Sequence, residues 1–161
     1  MFDSIYSSNQ RRAIETNDII SSILEQKNTN FKIDKRLREW DFGSFDGQNM
    51  KDAFKKLSFK NKFNYIFGKL TLEQVANYIY QNDSSNSVED WKKLQKRIWS
   101  AFISIIRETT ITKDQNVLII SHGLTILTLI YLINEEKKYF QTLPNGFMTI
   151  IDYDGTIFKI K

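Results

Sequence analysis

From Val117 to Ile120 the chain carries four β-branched or leucyl residues in succession with no polar alternation. That pattern suits a short strand covered on both faces, as the parallel strands of an α/β sheet are. The strand gives way to the small polar triplet Ser121-His122-Gly123, and a nearly wholly apolar run over residues 124–133 then reads as a buried helix. Taken as one block, residues 117–133 fall slightly short of the roughly twenty a bilayer span needs and are interrupted by that triplet. Strand, turn and helix is therefore the reading.

The remaining periodicities place further elements on either side. Residues 2–6 alternate weakly and favour a strand, and Ser7, Ser8 and Asn9 then offer helix N-cap side chains. Ala13, Thr16, Ile20, Ile23 and Leu24 recur at three and four and predict one face of the helix that follows. Residues 28–30 turn the chain, residues 31–37 read as an extended connection, and residues 38–47 mix carboxylates, aromatics and glycines with no period at all. Thr71 and Gln74 form a capping box before a helix whose inner face is Leu72, Val75, Ala76 and Ile79. After a polar break at 81–86, Ser87 with Asp90 is expected to cap the longest helix, with Trp91, Leu94, Ile98, Phe102 and Ile105 as its stripe, ending near Arg107. Residues 147–153 and 156–160 are β-rich and flank Asp154-Gly155, a hairpin signal. The order predicts a layered α/β fold in a single domain over 1–161, with a helical segment over 50–110.

Composition sharpens this picture in three places. A chain of 161 residues that is 41% apolar and 14% aromatic has material for one sizeable core. No cysteine and a single histidine exclude disulfides, thiolate zinc sites and cysteine nucleophiles, and make a metal centre an unfavourable expectation. The net charge of +4 suits an anionic ligand but falls short of a nucleic-acid signature. Lysines and aromatics interleave over residues 50–68, and the rings are read as the inward stripe of short helices with the lysines facing water, since no arginine joins them. Neither a nucleic acid nor a membrane is thus an expected partner. The amino terminus lacks the basic segment and apolar core of a signal peptide, so the cytoplasm is the expected compartment.

Three residues carry candidate chemistry. His122 stands where a sheet strand ends, and ligands of α/β sheets collect at the carboxyl ends of strands, although a histidine beside an apolar run is as readily a hydrogen-bonded core residue. Arg12 lies in the first turn of a helix that begins where a strand ends, so its guanidinium could share an anion with the helix N-terminus; a solvated charge paired with Glu15 or Thr16 is the alternative. Glu39, next to Trp40 in the aperiodic loop, is the candidate general acid, because burial against a ring favours the protonated carboxyl.

Three stretches together resemble the histidine phosphatase superfamily, the phosphoglycerate mutase-like fold. Residues 6–16 (YSSNQRRAIET) are similar to its arginine-bearing strand-to-helix motif, residues 37–47 (LREWDFGSFDG) to its acidic loop, and Ser121-His122-Gly123 to its second histidine motif. Pro144-Asn145-Gly146, leading into the terminal hairpin, agrees with that order. The resemblance implies a phosphoryl-transfer pocket in which Arg12 grips phosphoryl oxygens, His122 donates a hydrogen bond to them and stabilises developing charge, Glu39 protonates the leaving oxygen and Gly123 belongs to the substrate-binding turn. Preorganised cationic donors suit a phosphoryl group because its charge spreads over the equatorial oxygens. The implied partner is a small phosphorylated metabolite or inorganic phosphate, and no cofactor is implied.

One feature of the family pattern does not occur. Members resembling this chain carry a strand ending in Arg-His-Gly, whose histidine becomes the phosphohistidine, and no Arg-His-Gly exists here. The expectation is a fold truncated at the N-terminus, without its first strand and first helix. Such a chain is expected to lack phosphatase turnover and to self-associate through exposed sheet edges; a non-catalytic phosphate-binding protein or an interaction module are the other readings.

Overall fold

Three parallel strands form the platform for the site. β1 (Ser4–Ser7) lies between β2 (Asn30–Ile33) and β3 (Val117–Ile120), in the order β2-β1-β3. The register sets Ser7 beside both Ile33 and Ile120, so all three strands end at one level. The computed structural model describes residues 1–25, 29–48, 70–109, 115–134 and 141–161. The interleaved lysines and aromatics of 50–68 lie wholly outside the described residues, as does the first part of the expected helical segment at 50–110.

Burial across the sheet follows strand position. The central strand carries Ile5 at 0% and Tyr6 at 4% exposure, whereas on the edge strand Phe31 and Ile33 stand at 36% and 53%. The expected extended connection at 31–37 is thus in part a true strand, a four-residue polar–apolar alternation at an exposed edge that is too short to set it apart from extended loop. Val117 and Ile119 pack on one face of β3 against Tyr6, Leu37, Ala101 and Ile105, and Leu118 and Ile120 on the other with Ile5 and Ala13, so both faces are covered, though only Ile120 of the four is buried rather than half-buried. Tyr6 and Lys32, on neighbouring strands, both donate to the Glu108 carboxylate, at 2.9 and 2.7 Å, tying sheet to helix.

α1 (Arg11–Ile23) packs through Ala13 and Asn17, with Ile20 half-buried, while Ile23 and Leu24 are 74% and 43% exposed. The expected apolar face is therefore correct only in its first turns: the end of α1 passes beyond its cover. The expected serine or asparagine cap is also replaced, since the N-cap residue is Gln10 and makes no side-chain capping bond. α2 (Leu72–Asn82) has the expected Thr71–Gln74 capping box, with both reciprocal bonds formed, and buries Leu72, Val75, Ala76 and Ile79. A cap of this kind is worth about 1 kcal/mol.

α3 (Trp91–Thr109) is the longest helix and buries Trp91, Leu94, Ile98, Ala101, Phe102 and Ile105. Each such large apolar side chain contributes about 1.5–3 kcal/mol by leaving water. Its first turn is closed by Asp90, which accepts the Lys93 N–H at 2.8 Å, while the Ser87 N–H turns back to Asp83. α4 (Gly123–Asn134) packs Leu124 and Leu127 against Trp40, Trp91 and the α2 face in the largest apolar cluster. β4 (Ile151–Tyr153) and β5 (Phe158–Ile160) form the predicted hairpin, a separate two-stranded sheet anchored by Phe158 against Trp99 and Phe102 of α3. No helix among the described residues is long and apolar enough to cross a membrane.

Candidate active site

The carboxyl ends of β1 and β3 meet the amino ends of α1 and α4, and the candidate residues gather at that junction. The Ser8 N–H donates to the carbonyl of Ile120 at 3.1 Å, holding the β1 exit beside the β3 exit. The Ser121 hydroxyl donates to the Leu37 carbonyl at 2.8 Å, which brings the start of the acidic loop to the same edge. The His122 carbonyl accepts the Ile126 N–H at 2.8 Å, so the histidine is the residue from which α4 springs, and Gly123 is the first residue of that helix.

His122 is only 6% exposed, and both ring nitrogens are engaged. Nδ1 accepts from Nε of Arg12 at 3.1 Å, and Nε2 lies 2.7 Å from the Ser8 hydroxyl oxygen. A guanidinium has donors only, so the nitrogen facing it must present its lone pair and the ring proton must sit on Nε2. His122 is thus a neutral imidazole donating to Ser8. Burial, followed by the positive charges of Arg12 and then Arg97, depresses its pKa to about 4. In this tautomer the ring cannot take a proton from Ser8. The Ser8–His122 pair therefore lacks the base of a serine nucleophile despite its short distance.

Arg12 itself is exposed, and its Nη2 donates to Gln10 Oε1 at 2.9 Å. The same oxygen accepts the Glu39 N–H at 3.4 Å, so Gln10 links the arginine to the acidic loop. The Glu39 side chain reaches the start of α4, where Oε2 accepts from Leu124 N–H at 3.3 Å and Oε1 from Thr125 N–H at 3.1 Å and Thr125 Oγ1 at 3.2 Å. A carboxylate at a helix amino end satisfies donors that have no partner within the helix and complements the helix dipole. Trp40 meets Glu39 through its main-chain N–H, at 3.1 Å, while its indole turns into the core and donates to Thr128 Oγ1 at 3.1 Å. The expected contact of carboxyl with ring is thus replaced by hydrogen bonds to the helix start.

The acidic loop is suspended from α3 and the connection before it. Buried Arg97 donates to the carbonyl oxygens of Arg36, Arg38 and Glu39 at 2.6, 2.9 and 3.4 Å, and its Nε meets both Glu89 oxygens at 3.0 and 2.8 Å. Burial pulls the Arg97 pKa below its ordinary value, with the charge of Arg38 adding to the effect and Glu89 opposing it. Farther along, Asp83 accepts the Ser44 N–H at 2.8 Å and the N–H groups of Ser85 and Ser87 at 3.0 and 2.9 Å. Gly43, at φ +54°, leaves room for that carboxylate.

The structure thus brings Arg12, His122, Glu39 and Gly123 to one end of the sheet. Sequence reasoning missed Gln10, Ser8 as a partner of His122, and the Glu89–Arg97 pair. A signal for Arg97 was present: it lies three residues after Leu94 and four before Ala101, a charged residue inside an apolar stripe. Among the described residues no group of three His, Asp or Glu side chains converges to hold a metal ion.

This arrangement agrees with what comparison with known proteins gives. The profile of the histidine phosphatase superfamily (branch 1) matches residues 1–161. The chain belongs to that superfamily. A crystal structure of phosphoglycerate mutase from Bacillus anthracis superposes with a TM-score of 0.88 at 31% identity, covering 100% of this chain and 71% of that one. A Hydrogenobacter thermophilus protein bearing the provisional name phosphoserine phosphatase 2 is 29% identical over 159 residues, 95% of this chain and 68% of its own length. A mycobacterial glucosyl-3-phosphoglycerate phosphatase in complex with inorganic phosphate shares the fold, with a TM-score of 0.68 at 15% identity over 100% of this chain and 76% of that one. The expected phosphoglycerate mutase-like α/β fold is therefore the observed one, and this histidine phosphatase chain places its lone histidine at the end of a central parallel sheet.

Proposed function

We propose that the junction of β1, β3, α1 and α4 is a phosphoryl-binding site for a small phosphomonoester or inorganic phosphate, with Arg12 as the principal clamp. The contact between Arg12 Nε and His122 Nδ1 at 3.1 Å carries this reading, because together with the Nη2 bond to Gln10 it fixes a cation at the strand ends and leaves Nη1 to meet an anion. Gly123 N–H at the amino end of α4 adds a main-chain donor to the same place, while the Leu124 and Thr125 N–H groups are held by Glu39. His122 supports the arginine in this state and becomes a donor to phosphoryl oxygen when the anion displaces the Ser8 hydroxyl. By the family resemblance Glu39 occupies the place of the leaving-group acid, a role that would be called on only with a nucleophile beside it.

Phosphohistidine chemistry divides its labour between a nucleophilic imidazole and a second, charge-stabilising one. This sequence contains one histidine. The proposal is accordingly that the 161 residues bind phosphate but do not turn over phosphomonoesters by that route. Removal of a nucleophile from a cooperating set costs on the order of a thousandfold to a millionfold. Among the described residues β3 pairs only with β1, and the hairpin forms its own sheet, which favours self-association through the β3 edge.

Titration calorimetry with inorganic phosphate and vanadate, beside para-nitrophenyl phosphate turnover, tests the reading. Weak anion binding that is lost in Arg12→Ala, with no turnover above background, is the expected result. Binding unchanged in Arg12→Ala refutes the clamp, and turnover abolished by His122→Ala refutes the inactive assignment. A concentration-independent monomer in sedimentation would remove the edge-to-edge contact.

A further inference from the structure

Glu39 can serve a site only if something holds its backbone, and the holding group comes from a distant part of the chain. Residues 38–42 belong to no helix or strand, yet the carbonyls of Arg36, Arg38 and Glu39 all turn inward to one guanidinium, that of Arg97. Three carbonyl oxygens brought together repel one another unless a donor lies between them, and a buried carbonyl without a partner costs about 1–3 kcal/mol. Arg97 is buried on α3 and is held by Glu89, whose carboxylate also pairs with Arg38 at 3.1 Å. The guanidinium is planar and presents donors on two sides, so it can meet Glu89 and the loop at once. An ammonium cannot reproduce that span.

We propose that Arg97 is the positioning residue of Glu39: it gathers the carbonyls at the base of that side chain and so sets the carboxylate against the amino end of α4. Glu89 orients the guanidinium, and Arg38 closes the pair from the loop side. The carboxylate's reach to the Leu124 and Thr125 N–H groups follows from this main-chain frame. The proposal deepens the site described above and rests on it for the role of Glu39, whereas the position of the carboxylate can be read independently of phosphate binding.

The experiment uses the full 161-residue chain labelled with nitrogen-15. Leu124 and Thr125 amide resonances are followed through the acid range, where they report the carboxylate beside them, and Glu39→Gln identifies the part of the signal that belongs to it. In Arg97→Met both amides are expected to move toward their Glu39→Gln positions and to lose the acid-range inflection. Arg97→Lys should fail to restore it, with Glu89→Gln giving a partial loss. A folded Arg97→Met protein that keeps both resonances and the inflection, losing only melting temperature, overturns the proposal and leaves Arg97 a structural residue. If Arg97→Met does not fold, wild-type behaviour of the two amides in both Arg97→Lys and Glu89→Gln overturns it equally. Inorganic phosphate titrated into the wild-type sample is the separate control: failure to bind refutes the proposed function and leaves the positioning result standing.

Discussion

The Arg12 guanidinium donates its Nε–H to Nδ1 of His122 across 3.1 Å, so a permanent cation faces the ring nitrogen that would have to take up a second proton. Together with burial this holds the imidazole neutral, down to a pKa of about 4 against an ordinary 6.5. The unfolded chain therefore binds more protons than the folded one between those two values, and the contribution to stability is fully present above about 6.5 and lost as pH falls toward 4. Its size is on the order of 3 kcal/mol at most. Urea midpoints measured from pH 7 to pH 4 should fall, and His122→Gln should flatten the profile in that interval. A profile with the same slope in both proteins would refute the linkage.

The second expectation separates the two causes of that depression. Burial is the larger, and the Arg12 charge comes next. Arg12→Ala should move the His122 titration upward while leaving it below the free-imidazole value. Because the sequence has one histidine, its ring carbon-bound protons give an unobstructed NMR titration. No upward movement would mean that the arginine contact is not maintained in solution.

A third expectation concerns Glu39 as the cap of α4. In Glu39→Gln one oxygen is replaced by an amide nitrogen, which sets donor against donor at Leu124 or Thr125 and removes the charge at the helix start. A loss of about 1 kcal/mol should result, and Glu39→Ala should cost about 2 kcal/mol by leaving the main-chain donors open. Unchanged thermal midpoints in both variants would contradict the capping geometry.

The legible parts of the sequence are those in which one local pattern dictates one outcome. The capping box at Thr71, the α3 stripe from Trp91 to Ile105 and the Asp154-Gly155 turn all depend on neighbours a few residues apart, and all were found where the pattern put them. The motifs around Arg12, Glu39 and His122 located the corner of the sheet, but not how the groups are wired. Ser8 was read as a helix cap because its hydroxyl chemistry suits one; its partner is 114 positions away, on a ring whose tautomer only the Arg12 contact settles. The Arg97 clamp likewise spans 58 to 61 positions and acts on main-chain oxygens, which have no sequence signature. β2 was read only as part of an extended connection for a different reason: its polar and apolar residues alternate, but over four positions that are all exposed, which gives no buried face to tell a strand from a loop.

The last expectation concerns the far end of the acidic loop. Gly43 stands at φ +54°, and a Cβ there would collide with the Asp83 carboxylate. That carboxylate binds the N–H groups of Ser44, Ser85 and Ser87, so it cannot move aside without releasing both the loop and the turn before α3. The main-chain and hydroxyl donors outweigh burial and hold its pKa well below the usual carboxylate range, which shows how firmly the cluster prefers the charged acceptor. Gly43→Ala should therefore carry two penalties, the left-handed backbone at about 1 kcal/mol and the displacement of Asp83 at about 1–2 kcal/mol. Asp83→Ala removes the obstacle along with its bonds, leaving only the backbone penalty for the glycine substitution. In a double-mutant cycle of urea stabilities, Gly43→Ala should thus cost at least 1 kcal/mol less in the Asp83→Ala background than in the wild type. Equal costs in the two backgrounds would show that the glycine answers to its backbone conformation alone and that Asp83 does not pin the loop.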